Sequence, residues 1–437
     1  MTTATCLRMS PFFGRQPWTL EKLCIPPTLG MGGSSASNAR LLWMGSMQGR
    51  RIAVVGAVLV AAALALVVGR SRSETSVRDS GRSPARLTAH SSKTKHFEYV
   101  VADGALYVYS IDHANQLVQM VSLPQIGTSI HGVVASPRTG RLYIAYGQQK
   151  PPGGSLLAYD LRRGRTLWHR TYSFGIDSMA ISLNGRWIYM PAGEDTTDGT
   201  WRMIRASDGR LSGRSIAGPR GAHNTIMGLG GRYLYLGGVD YPYLEVASTA
   251  TNHVVRKIGP LNGPGVRPFT INGSQTLAFT TARSFLGFQV SSISTGKMLY
   301  TVPVPGFSFN PAKFLRTPNH GISLSPDEHR LYLIDTPNGY VHVFDVQDLP
   351  ASRPTLLANI KLAHAPPNDG WLQTSRDGHY LYVGRSGDVI DTRTDKIVAY
   401  RPALGSTADF LEIDWRHGRP IATTNRYGVG YVRRPPG

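Results

Sequence analysis

Cysteine is nearly absent: the 437 residues hold two, Cys6 and Cys24, both near the N-terminus. The rest of the chain therefore offers no disulfide framework, no thiolate metal site, no CxxCH haem attachment and no cysteine nucleophile. Acidic residues are scarce as well, 27 Asp and Glu against 47 Lys and Arg. Half of the net charge of +20 falls in residues 1–96, which hold 13 basic and 3 acidic residues. Residues 97–437 hold 34 and 24, spread without a basic run. A nucleic-acid partner needs a clustered basic stripe, so no nucleic acid is expected. There is no Walker loop, no GxGxxG between strand and helix, no GxSxG elbow and no HExxH, which removes the classes those motifs mark.

One long apolar run is present. Ile52–Gly69 reads IAVVGAVLVAAALALVVG, 18 residues preceded by Arg50 and Arg51. A helix rising ~1.5 Å per residue needs about 20 residues to cross a bilayer, so this segment reads as a single-pass membrane anchor. A cleaved signal peptide competes, because Ala63-Leu64-Ala65 resembles a cleavage site, although Leu66–Val68 continue the run beyond it. Arg40, Arg50 and Arg51 flank one side, and Arg70, Arg72, Arg78, Arg82 and Arg86 the other. That count favours a cytoplasmic C-terminal domain. The signal-like MQGRR stretch from Met47 favours export, and an extracytoplasmic domain is the expectation adopted. Residues 1–46 then form a disordered tail or lie upstream of the true start, and 47–69 form the anchor or signal segment. Residues 70–95 form a Ser/Arg-rich linker too poor in apolar residues to fold. The folded domain is 96–437.

Within that domain a phrase recurs: a polar residue, four mostly apolar residues, a turn, then Leu-Tyr or its equivalent. Its copies start at His131 (HGVVASPRTGRLYIAYG), Asp177 (DSMAISLNGRWIYMPAG), His223, Arg267, His320 (HGISLSPDEHRLYLID), Gly370 and Asp409. The spacings are 46, 46, 44, 53, 50 and 39 residues. Each copy reads as a β-hairpin, with turns such as LNG and RDG. Two further strands fit between copies, as in GSLLAYDLRRG followed by RTLWHRTYS. Four antiparallel strands per 40–50 residues, without a long amphipathic helix, predict an all-β, seven-bladed propeller. Strands before the first copy and after the last predict a final blade shared by both termini, which removes exposed sheet edges.

The phrases HGISLSPDEHRLYLID and DVIDTRTDKIVA resemble the YVTN-type repeat propellers over about residues 97–432. The resemblance is specific for architecture. Its relatives by shape include lactone-forming and lactone-cleaving enzymes, propeller subunits of quinoprotein amine dehydrogenases, nitrous oxide reductase and cell-surface proteins of unknown role. Copies two, three and four lack the SPDG turn of that pattern, and copy seven replaces it with WRHG.

In a propeller the first strand of each blade lines the central channel. The repeat alignment therefore places His131, Asp177, His223, Arg267, His320, Gly370 and Asp409 around one channel mouth, with Asp369 beside Gly370 as its polar substitute. Five positions later stand Ser136, Ser182, Gly228, Asn272, Ser325, Ser375 and Asp414. Three readings of the mouth stay open. The polar groups hydrogen-bond neighbouring backbone; or they bind a small anionic ligand, with Arg267 pairing its carboxylate and a histidine moving protons; or His131, His223 and His320 hold zinc or copper. The acidic loop GEDTTDG, with Glu194, Asp195 and Asp198, misses EF-hand spacing and reads as a solvated turn. The insertions PVPGFSFNPAKFLRTPNHG and HAPPNDG are candidate loops over one face. A binding scaffold for a small anionic ligand or a protein is the first functional expectation, and a lactonase-like enzyme or a metal site at the channel mouth is the alternative; the sequence leaves the cofactor open.

Overall fold

The computed structural model describes residues 84–88, 91–314 and 316–425. Strands β1 (Lys95–Ala102), β2 (Ala105–Ser110) and β3 (Gln116–Ser122) come first. Blade one follows as β4 (Ile130–Ser136), β5 (Arg141–Gly147), β6 (Gly154–Asp160) and β7 (Arg165–Thr171). Blade two is β8 (Ala180–Ile181), β9 (Trp187–Pro191), β10 (Thr200–Arg205) and β11 (Leu211–Ala217). Blade three is β12 (Ala222–Met227), β13 (Tyr233–Gly238), β14 (Leu244–Ser248) and β15 (His253–Ile258). Blade four is β16 (Phe269–Ile271), β17 (Leu277–Ala282), β18 (Phe285–Ser292) and β19 (Met298–Pro303). Blade five is β20 (Ile322–Leu324), β21 (Arg330–Asp335), β22 (Tyr340–Asp345) and β23 (Thr355–Lys361). Blade six is β24 (Trp371–Thr374), β25 (Tyr380–Gly384), β26 (Asp388–Asp391) and β27 (Lys396–Tyr400). The last strands are β28 (Phe410–Arg416) and β29 (Arg419–Thr423).

Six sheets of four antiparallel strands and one of five make a seven-bladed propeller. Burial follows strand position. Inner strands such as β12, β20 and β24 are buried at every residue, while the outer strand β27 alternates between exposed and half-buried. Apolar side chains between successive blades form the core, with Trp201, Trp371 and Trp415 among the largest fully buried groups.

The turns explain the repeated small polar residue. In blade five Ser325 Oγ donates to Asp327 Oδ1 at 2.5 Å and accepts the Arg330 N–H at 2.9 Å. Ser375 and Asp377 repeat this in blade six. Blade two lacks the SPDG phrase, yet Ser182 donates to Asn184 in the same way. In blade four Asn272 Oδ1 accepts the N–H groups of Thr276 and Leu277. These residues close hairpins, a local hydrogen-bonding role that Ser, Asn and Asp fill well.

Blade seven has the sheet order β29-β28-β1-β2-β3. Three of its strands therefore come from the N-terminal side of the domain and the other two from the C-terminal side, as shared closure requires. The last hairpin differs from the others in one respect. Its second strand, β29, pairs with the channel-side edge of β28, because β1 already occupies the outer edge. Trp415 Nε1 donates to Tyr99 Oη at 3.0 Å across the junction. Residues 84–88, expected in an unfolded linker, form a one-turn helix, α1 (Pro84–Thr88). Its Ala85 packs against the apolar cluster that contains Phe97, Ile413 and Trp415. The expected anchor Ile52–Gly69 lies outside the described residues, and among these no helix is long and apolar enough to cross a membrane.

Candidate functional site

The inner strands begin at one face, and several of the aligned residues meet there. His223 Nδ1 lies 2.9 Å from Asp177 Oδ2, linking blades two and three. The rings of His223 and His320 are 5.9 Å apart, linking blade three to five. His320 Nδ1 lies 3.2 Å from the Gly370 carbonyl oxygen, and its ring meets Trp371 edge-on. Arg267, from blade four, donates to Glu194 Oε1 at 2.6 Å and to Asp369 Oδ2 at 3.4 Å. Asp177, His223, Arg267, His320 and Asp369 are all buried.

His131 Nε2 lies 3.0 Å from the Gly147 carbonyl oxygen and 3.2 Å from Ser129 Oγ, both within blade one. Asp409 is buried at the closing blade, where its carbonyl accepts the Val101 N–H. The three histidines expected as metal ligands do not bring donor atoms into one compact group. Among the described residues, the group of three or more such donors within 4.8 Å of one another is His96, Glu412 and Asp414.

Three participants come from loops. Glu194, in GEDTTDG, turns inward onto Arg267 instead of forming a solvated turn. Arg316, from the long insertion before blade five, donates to Asp369 Oδ2 at 2.7 Å. Gln149, from the β5–β6 loop, donates to Asp177 Oδ2 at 2.5 Å. Only the unusual length of the insertion hinted at such a contact.

Charge balance sets the protonation states. Burial alone would raise the Glu194 carboxyl, but His223 and the Arg267 guanidinium outweigh it and hold it at about 2. Burial likewise opposes ionisation of Asp369, yet Arg267 and Arg316 keep it well below the usual carboxylate range. His320 goes the other way, because burial pushes it down to about 3 and leaves a neutral ring. Five buried side-chain atoms in the cluster have no hydrogen-bond partner among the described residues: His223 Nε2, His320 Nε2, Arg267 Nε, Glu194 Oε2 and Asp369 Oδ1. A set containing both donors and acceptors can bind a molecule that offers both.

No family model matches this chain, including any for YVTN repeats, and no curated protein matches it. Solved structures do. A functionally unknown protein from Desulfotomaculum acetoxidans is similar at 11% identity and a TM-score of 0.57, covering 72% of this chain and 98% of that one. Hydrazine synthase from Kuenenia stuttgartiensis is similar at 12% identity and a TM-score of 0.48, covering 68% and 95%. At such identity the likeness concerns the fold, and the chain is of the seven-bladed propeller class.

Proposed function

We propose that this protein is a ligand-binding propeller and that its mouth cluster receives a small, neutral, hydroxyl-rich molecule. The observation that carries this is the set of five buried atoms without partners, drawn from blades two to six. Leaving a buried polar atom unsatisfied costs ~1–3 kcal/mol, a cost that a hydroxylated ligand relieves by donating and accepting together. An anionic ligand fits less well. Glu194 and Asp369 already engage Arg267, and with Asp177 they make three carboxylates against the guanidiniums of Arg267 and Arg316.

Binding is favoured over catalysis by the state of His320. A general base works best with a pKa near the operating pH, and a ring held at about 3 is a weak proton acceptor. The membrane tether, with the propeller on the extracytoplasmic side, belongs to the same proposal and rests on the length of Ile52–Gly69 and the MQGRR stretch. Protease added to intact cells then trims the chain within residues 70–95, and full protection until lysis would place the propeller in the cytoplasm.

Ligand class is tested by thermal shift of the purified chain with millimolar myo-inositol or D-glucose, set against citrate and D-gluconate. The neutral polyols are expected to raise the melting temperature. A shift with the carboxylates alone would restore the anionic reading, and no shift with any of the four would remove the hydroxylated class.

A further inference from the structure

A second cluster lies where the first and last parts of the propeller pair, between β1 and β28. In the β1–β28 ladder His96 is opposite Asp414, and Glu98 is opposite Glu412. Opposed residues, and residues two apart along a strand, share a sheet face, so these four side chains form one patch. His96 Nδ1 lies 2.8 Å from Asp414 Oδ1 and 3.3 Å from Glu412 Oε1. Arg376, in the turn of blade six, holds the other oxygens of both acids. Its Nε donates to Asp414 Oδ2 at 2.8 Å, and its backbone N–H donates to Glu412 Oε2 at 2.7 Å. The remaining oxygens are thereby left turned towards His96, the way outer partners orient metal ligands.

Glu98 is an independent sign that the patch can take a cation. It is 1% exposed, and neither of its carboxyl oxygens has a hydrogen-bond partner among the described residues. Three acidic side chains thus share the patch with one guanidinium and one imidazole. We propose that His96, Glu412 and Asp414 bind a divalent first-row transition metal ion, with Glu98 balancing its charge. An imidazole nitrogen among carboxylates suits zinc better than magnesium or calcium, which prefer all-oxygen sites. The His96 side chain is 31% exposed, which gives the ion a path from solvent. The ion takes the place of the proton between His96 and Asp414. It clamps the first strand of the propeller to β28, so its consequence is a tighter ring, whatever the mouth cluster binds.

The test uses the untagged full chain, stripped with EDTA and dialysed against Zn2+ or Mg2+. One equivalent of zinc is expected to be retained, with a raised melting temperature, and magnesium is expected to do neither. His96→Ala should bind zinc at least ~tenfold more weakly and lose the rise in melting temperature. Glu98→Gln, which keeps the shape but cannot ionise to balance the ion, should weaken zinc binding while its zinc-free form melts no lower than the parent. Failure of the parent to retain one equivalent, or equal zinc binding by the parent and His96→Ala, would overturn the site.

Discussion

His320 carries the mouth cluster's most testable property. It is buried, and its pKa is depressed from 6.5 to about 3, with burial as the largest cause. A group depressed on folding is protonated first in the unfolded chain, so stability present above pH 6.5 is lost as the pH falls towards the folded value. The loss amounts to ~1.4 kcal/mol per pH unit inside that window. Glu194 acts lower, between about 4.5 and 2, and in the same sense. Glu98 and Glu412 are raised by burial and titrate in the opposite sense, so the parent's own pH profile mixes both. The difference between parent and His320→Leu isolates the histidine. Urea titrations at pH 6.5 and pH 5 should show the parent losing more stability than the variant over that step; equal losses would mean that His320 is not held neutral. Turn residues show a different economy. Glu328 adopts a φ of 63° where the SPDG phrase has glycine, and its carboxylate accepts the Gly273 N–H of the preceding blade. A backbone conformation costly for a side chain is thus offset by an interblade hydrogen bond.

Among the elements, β28 and β29 have unequal roles. β28 pairs on both edges, and Val101 N–H to Asp409 O extends its junction with β1. β29 adds a channel-side strand, with Arg376 donating to the Thr423 carbonyl and Gln373 to that of Asn425. Removing residues 418–437 should lower the melting temperature but keep a single cooperative transition, because the ring stays closed. Removing residues 409–437 should abolish the transition, since β1 then presents an open edge. Calorimetry of the two truncations checks this, and a cooperative transition in the shorter chain near the parent's temperature would refute closure by β28. Hairpins were legible in the sequence because each carries an alternating pattern and its own turn. The placement of β29 was not, because its hairpin looks like the other six until β1 has taken the neighbouring edge.

Across the whole molecule, the regular spacing of the seven copies fixed the ring and therefore which strand ends share a face. That is why Asp177, His223, Arg267, His320 and Asp369 could be placed together from sequence, though 192 residues separate the first from the last. Glu194, Gln149 and Arg316 could not, because they sit in loops outside the repeat and only folding brings them inward. His131 sits at the start of its inner strand as aligned, but alignment fixes a strand position and not where the side chain turns, here towards Gly147. The seam acids were hidden for a similar reason, since their partners come from opposite ends of the chain. What the assembled mouth is for is decided by the stability of His320→Leu in urea at pH 7. A mouth built for a ligand leaves His320 Nε2 unused by the protein, and only one neutral hydrogen bond, to Gly370, is lost. The expected change is then no more than ~1 kcal/mol, because relief of the unsatisfied nitrogen offsets the lost bond. A loss of ~3 kcal/mol or more would show that both ring nitrogens hold the blades together, and that the mouth is a structural network instead of a binding site.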